Sequence, residues 1–166
     1  RGSRAGRPAV DARADAATQR LRPGGGAAGA IHPAAGPGLA KETRPLAPLQ
    51  PGEAVRSGAH DLPNDHVIHV LGPVYGRDEP SDKLLRAGYK NALRRAEEHD
   101  IASIAFPALS TGAFGYPLDE AARIALATVL DAAPHLHTVE HVRFVLFGDD
   151  ALRAHERVLS ALRPNT

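Results

Sequence analysis

The chain has 166 residues, 43% of them hydrophobic, 23% charged and 4% aromatic, enough for one globular domain with a core but without the contiguous apolar run a bilayer-spanning helix needs. Twenty basic residues against nineteen acidic ones leave a formal charge of +1, which is not the electrostatic footprint of a nonspecific nucleic-acid binder. The absence of Cys excludes disulfide scaffolds, Cys-ligated zinc and thiol nucleophiles, and with no charged-then-apolar leader at the start the default expectation is a soluble, cytoplasmic protein.

Residues 1–9 hold three arginines, two glycines and a proline without apolar periodicity and read as a flexible arm or expression scar, leaving 10–166 as a single domain. From Val10 to Leu21 alternating charges at Asp11, Arg13 and Asp15 favour a strand while the alanines favour helix; a strand followed by a loop is expected. Arg22-Pro23-Gly24-Gly25-Gly26 is irregular, and a short helix follows from Ala27 to about Ala35, kinked or late-starting because of Pro33. Gly36-Pro37-Gly38 ends it, Leu39 to Arg44 forms the next helical turns, and Pro45 to Gly52 is a proline-punctuated connection.

Ala54-Val55 reads as a short strand, and the β-branched run His66 to Leu71, bounded by Gly72-Pro73, as a longer one. Ser81 is the expected N-cap of a helix from Asp82 to His99, with Leu84, Leu85, Tyr89, Ala92, Leu93 and Ala96 along one face. Ile101 to Pro107 is nearly all apolar, as in a strand buried on both faces. A helix from Leu118 to Ala132, a strand from Val142 to Phe147 and an amphipathic helix from Asp149 to Leu162 complete the chain. The alternation predicts an α/β fold with a largely parallel central sheet.

In such sheets ligands sit beyond the carboxyl ends of the strands. Two glycine-rich loops stand there ahead of helices: Gly24, Gly25, Gly26, Ala27, Ala28 and Gly29, and Ser110, Thr111, Gly112, Ala113, Phe114 and Gly115. Unpaired backbone N–H groups at a helix start hold phosphate without a lysine, and two such loops facing one crevice suit a diphosphate; either loop taken alone is more often a plain turn. A Walker A loop is excluded because the chain has no Gly-Lys pair, and a Rossmann site lacks a clear preceding strand and acidic partner.

At these loops the sequence becomes recognisable. Pro-Gly-Gly-Gly-Ala-Ala-Gly-Ala-Ile-His-Pro-Ala-Ala-Gly-Pro (23–37), Val-Ile-His-Val-Leu-Gly-Pro-Val-Tyr (67–75) and Ile-Ala-Phe-Pro-Ala-Leu-Ser-Thr-Gly-Ala-Phe-Gly-Tyr-Pro-Leu (104–118) closely resemble the macrodomain family of ADP-ribose-binding modules. The resemblance runs in order over about Val10 to Leu162. It implies a three-layer α/β/α sandwich with a mixed central sheet and a cleft holding ADP-ribose, free or attached to a protein or small molecule. No cofactor or metal is implied.

Carried over by position, Gly24 to Gly29 with Ile31 match the family's first phosphate loop, and Ser110 to Gly115 the loop gripping the diphosphate from the other side. Phe114 matches the aromatic lying against the distal ribose, its alternative being an inward-packed loop residue, and Phe147 sits where members place a side chain near adenine, its alternative being core. Departures accompany the matches. The adenine-binding Asp of a Gly-Asp-Ile segment has no counterpart in 1–9, the usual Asn-Ala-Ala-Asn reads Asp15-Ala16-Ala17-Thr18, and Ala28 replaces the Asp of many hydrolytic members.

The expected function is therefore ADP-ribose binding, with ADP-ribosyl hydrolase or O-acetyl-ADP-ribose deacetylase activity as the alternative and a ligand-free decayed fold as a third reading. Asp15 and Thr18 are the catalytic candidates, although Asp15 is expected to cap a backbone turn. Among the nine histidines, neither His66 and His69, on opposite faces of a strand, nor His135 and His137 form a zinc pair, and His32 is expected to bond carbonyls of a neighbouring loop.

Overall fold

A computed structural model describes residues 10–18, 20, 21 and 26–163, with the backbone alone over 26–30. The expected arm at 1–9 and the glycines Gly24 and Gly25 lie outside the described residues. Five strands, β1 (Ala12–Ala16), β2 (Ala54–Gly58), β3 (His66–Val70), β4 (Ser103–Phe106) and β5 (His141–Phe144), form one sheet in the order β2-β3-β1-β4-β5. β1 pairs parallel with β3 and β4, β4 parallel with β5, and β2 antiparallel with β3. The sheet is mixed, as the resemblance implied.

β1 is the least strand-like segment by composition, yet it is central. Alanine favours helix, but β1 is paired along both edges, with Ala12 opposite both His66 and Ile104. Small side chains suit that place, since Ala12 and Ala14 are buried on the face covered by α3 (Ser81–Glu98) and α4 (Leu118–Ala132). Ile68, Val70, Ile104 and Phe106 fill the same layer with Leu85, Tyr89 and Leu93. Tyr89 meets Phe106 edge-on at 5.1 Å, and Phe106 stacks on Phe144 at 5.8 Å.

The opposite face carries α1 (Gly26–Ala35) and α2 (Pro37–Thr43), whose Ile31, Ala35 and Leu39 pack on Val67. α5 (Asp149–Leu162) closes the β5 edge through Val158 against Ala122 and Leu126. The start and end of α4 and of α5 coincide with the sequence expectation.

Several local expectations are corrected. The first helix begins at Gly26, one residue before the expected start, and ends at Ala35 as expected, so Ala27, Ala28 and Gly29 of the glycine-rich segment belong to the helix; Pro33 sits inside it, where it forgoes one backbone hydrogen bond. The break into α2 falls at Gly36, whose φ of 82° favours glycine, and the exposed Asp61 carboxylate lies 2.6 Å from where a Cβ would stand. Ser81 is the first helical residue after Pro80 and not the cap; its hydroxyl donates to the Asp78 carbonyl. β5 ends at Phe144, three residues short of expectation, because the chain turns outward there and Val145 is 57% exposed.

Candidate functional site

The parallel strands β1, β3, β4 and β5 all end on one edge of the sheet, so the segments following Ala16, Val70, Phe106 and Phe144 emerge side by side. The sheet order reverses at β1: β3 lies on one side of it and β4 on the other. A crevice opens at such a reversal, because the connections from neighbouring strands leave in opposite directions. The segment leading to α1 and the Ser110–Gly115 loop therefore issue from adjacent strands. α1 presents its N-terminal turn at Gly26, where unpaired N–H groups and the helix dipole favour an anion.

Main-chain hydrogen bonds tie these segments together. Ala17 N–H donates to the Val70 carbonyl at 2.9 Å and Tyr75 N–H to the Phe114 carbonyl at 2.9 Å. Within the second loop, Tyr116 N–H closes on the Ser110 carbonyl at 2.9 Å and Gly115 N–H on that of Gly112 at 3.0 Å. Ser110 adopts a left-handed φ of 65°, and Thr111 turns its hydroxyl to the Ala108 carbonyl at 2.8 Å. Gly112, Ala113 and Gly115 are exposed on this loop.

Phe114 is half-buried and packs against the cluster of Ala17, Leu21, Leu49 and Leu71, joining the loops after β1, β3 and β4. Phe147 is 90% exposed, so it is not the core residue a strand position implied. A bare aromatic ring on the loop after β5 stands on the same sheet edge as the two glycine-rich segments. Ile31 is buried under α1 and shapes the helix seat, its side chain belonging to the apolar cluster there. Thr18 is half-buried just beyond β1, and its carbonyl accepts from Leu21 N–H at 3.0 Å.

Asp15 corrects the sequence expectation most. It is fully buried and caps no turn; its Oδ2 accepts from His69 Nδ1 at 2.9 Å. A carboxylate only accepts, so the proton of that bond sits on Nδ1. The other ring nitrogen, Nε2, lies 2.8 Å from the Ser57 hydroxyl. Among the described residues His32 bonds no loop carbonyl, and it turns Nε2 toward the same Asp15 Oδ2 at 3.8 Å. Burial pushes the His32 imidazole below the ordinary histidine value, the Asp15 carboxylate opposes this, and His69 adds to it.

The donor atoms of Asp15, His32 and His69 lie within 4.8 Å of one another, but both His69 ring nitrogens are occupied by Asp15 and Ser57. The cluster is thus a hydrogen-bonded tie among β1, β2 and β3, with His32 of α1 approaching Asp15 without bonding to it. His66, on the other side of the strand, accepts from Arg56 Nε at 2.9 Å and takes no part.

Two further residues shape the second loop. Tyr89, wholly buried, reaches past β4 to accept from Leu109 N–H at 3.2 Å and donate to the Pro107 carbonyl at 3.4 Å, and burial raises its phenol well above the ordinary tyrosine value. Gly72 lies directly against the Ser110 hydroxyl, leaving no room for a Cβ. In sequence Tyr89 was one member of an apolar helix face and Gly72 only a strand stop. The Gly72-Pro73 pair was the available signal, but only packing shows what it touches.

Comparison with known proteins agrees with this geometry. The Macro domain family model matches residues 14–125. An O-acetyl-ADP-ribose deacetylase of Klebsiella pneumoniae is 42% identical over 157 residues, covering 92% of this chain and 90% of that protein. A mutant macrodomain of Oceanobacillus iheyensis with ADPR superposes with a TM-score of 0.90 at 32% identity, covering 95% of this chain and 89% of that one. The Trypanosoma brucei macrodomain in complex with ADP-ribose gives 0.83 at 36% identity, over 90% of this chain and 63% of that one. With the family's motifs on the converging loops of a mixed sheet, this chain belongs to the Macro domain family.

Proposed function

We propose that this domain binds ADP-ribose, free or as a modification on a protein or small molecule, across the carboxyl ends of β1 and β4. The supporting observation is the adjacency of those two parallel strands, whose following segments carry the two glycine-rich motifs. In this reading Gly24 to Gly29 and Ser110 to Gly115 hold the diphosphate through backbone N–H groups. Phe114 lies against the distal ribose and Phe147 offers its exposed ring to adenine. Stacking supplies affinity for the base, to which residues 1–9 offer no counterpart of the family's usual Asp.

Calorimetry tests this with ADP-ribose against AMP and ADP. Tighter binding of ADP-ribose is expected; no heat from it at millimolar concentration would overturn the reading.

The deacetylase relative favours a second reading, hydrolysis of an ester on ADP-ribose. Asp15 does not serve it, because its carboxylate is buried and bonded to His69. Ala28 has no acid–base group, so Thr18 and the ligand's own phosphate are what remain to orient a water. Turnover of O-acetyl-ADP-ribose, measured beside binding, separates a catalyst from a binder.

A further inference from the structure

We propose that His32 is a proton-linked positioning residue, whose protonation tightens α1 onto Asp15 and strengthens the hold of the first glycine-rich segment on a diphosphate. The proposal rests on the ADP-ribose reading above. It begins from an incomplete carboxylate. Asp15 is fully buried, yet Oδ2 has one close donor, His69, and Oδ1 has no hydrogen-bond partner among the described residues. Buried carboxylates normally collect several donors, since each unsatisfied oxygen carries a desolvation cost.

His32 stands where a second donor belongs but does not reach it. Its Nε2 is 3.8 Å from Asp15 Oδ2, beyond a hydrogen bond, while its ring is 6.4 Å from that of His69. Among the described residues the groups facing it are few: Asp15 from β1 and His69 from β3 are the titratable ones, Ser57 of β2 lies behind His69, and Pro37 and Ala40 of α2 are uncharged. His32 also lines a surface pocket of about 320 Å³ with Pro33, Gly36, Pro37 and Ala40, which gives a proton a route to the ring.

Near neutral pH burial keeps this imidazole uncharged, and the gap stays open. A proton on His32 converts the 3.8 Å approach into a charge-assisted contact that a shift of about 1 Å in α1 would close. It also places a positive charge six residues inside a helix whose first residue is Gly26, about 9 Å from the end that faces the diphosphate. Ligand phosphate and protonated His32 attract through the low-dielectric body of the domain. By linkage, binding takes up protons and affinity rises as pH falls.

The test is calorimetry of ADP-ribose binding to the wild type and to His32→Gln between about pH 7.5 and about pH 5.5, in two buffers of different ionisation enthalpy. The wild type should gain about threefold or more in affinity over this range and show proton uptake, whereas His32→Gln should be flat. Binding with parallel profiles in the two proteins would overturn the proposal. So would wild-type binding without proton uptake, which needs no variant and settles the matter if His32→Gln does not fold. Absence of ADP-ribose binding at every pH would instead remove the binding reading, and the proposal with it.

Discussion

Gly72 and Ser110 offer a test of how the loop after β3 supports the candidate diphosphate loop. Gly72 does not occupy the left-handed region, so alanine is acceptable to the backbone and any penalty comes from space. A Cβ there would fall on the Ser110 hydroxyl, with Ser110 Cβ at 3.4 Å and Ser110 N at 3.7 Å, both ordinary contact distances. Overpacking of this kind costs about 1–3 kcal/mol. The Ser110 hydroxyl is itself buried and without a partner among the described residues, so Ser110→Ala alone should change stability by less than about 1 kcal/mol.

In the Ser110→Ala background the obstacle is gone, and the Gly72→Ala penalty should fall to within about 0.5 kcal/mol of zero. Urea unfolding of the four proteins gives the coupling, expected at about 1–3 kcal/mol in favour of the double variant. ADP-ribose affinity should follow the same pattern, weakened by Gly72→Ala and recovered in the double variant. Additive effects would refute the reasoning, because they would mean that the Ser110 side chain steps aside at no cost.

Other expectations follow from single contacts. Tyr89→Phe keeps the edge-on ring contact with Phe106 but strands the Leu109 N–H, so thermal unfolding should show a loss of about 1–3 kcal/mol with native circular dichroism retained. Phe147→Ala removes a side chain 90% exposed and should leave stability within about 0.5 kcal/mol while weakening ADP-ribose by about 1–3 kcal/mol in calorimetry; unchanged affinity would remove Phe147 from the site. If the domain turns over O-acetyl-ADP-ribose, Thr18→Asn should raise kcat more than it alters affinity, and an equal change in both would argue against an action on the reacting ribose.

Glu97 governs the acid side. Burial pushes its carboxyl up, but bonds from the Val139, His137 and Thr138 N–H groups outweigh this and leave it below the ordinary glutamate value. A folded value lower than the unfolded one gives stability that is present above the unfolded value and lost as pH falls through the folded one. Melting temperatures from about pH 6 down to about pH 3 should therefore fall less steeply for Glu97→Gln than for the wild type, and identical slopes would contradict the assignment.

The helices and strands were legible wherever the chain carries a strong period. Leu118–Ala132 and Asp149–Leu162 each show a helical apolar stripe between clear breakers, and His66–Val70 is a β-branched run, so local patterning alone located them. The two glycine-rich segments and their family were legible for another reason: they are motifs contiguous in the chain, and the family resemblance is written directly in their residue order. Ala12–Ala16 shows the opposite case, since nothing within five alanine-rich residues reveals that two neighbouring strands will pair with it.

Asp15, His32, His69 and Ser57 lie as much as 54 residues apart within a single bonded pair, and no spacing in the sequence relates them. The same holds for Gly72 against Ser110 and for Tyr89 beneath Leu109. By itself the sequence determined the α/β class, the family and the two glycine-rich segments proposed to hold the ligand, because these follow from short-range periodicity and from motifs contiguous in the chain. Only the tertiary structure decided which carboxylate is buried against a histidine, which aromatic ring is bare and what braces the second loop. Burial and hydrogen-bond partnership arise from elements that meet in space, where the energy of a polar group depends on neighbours distant in sequence.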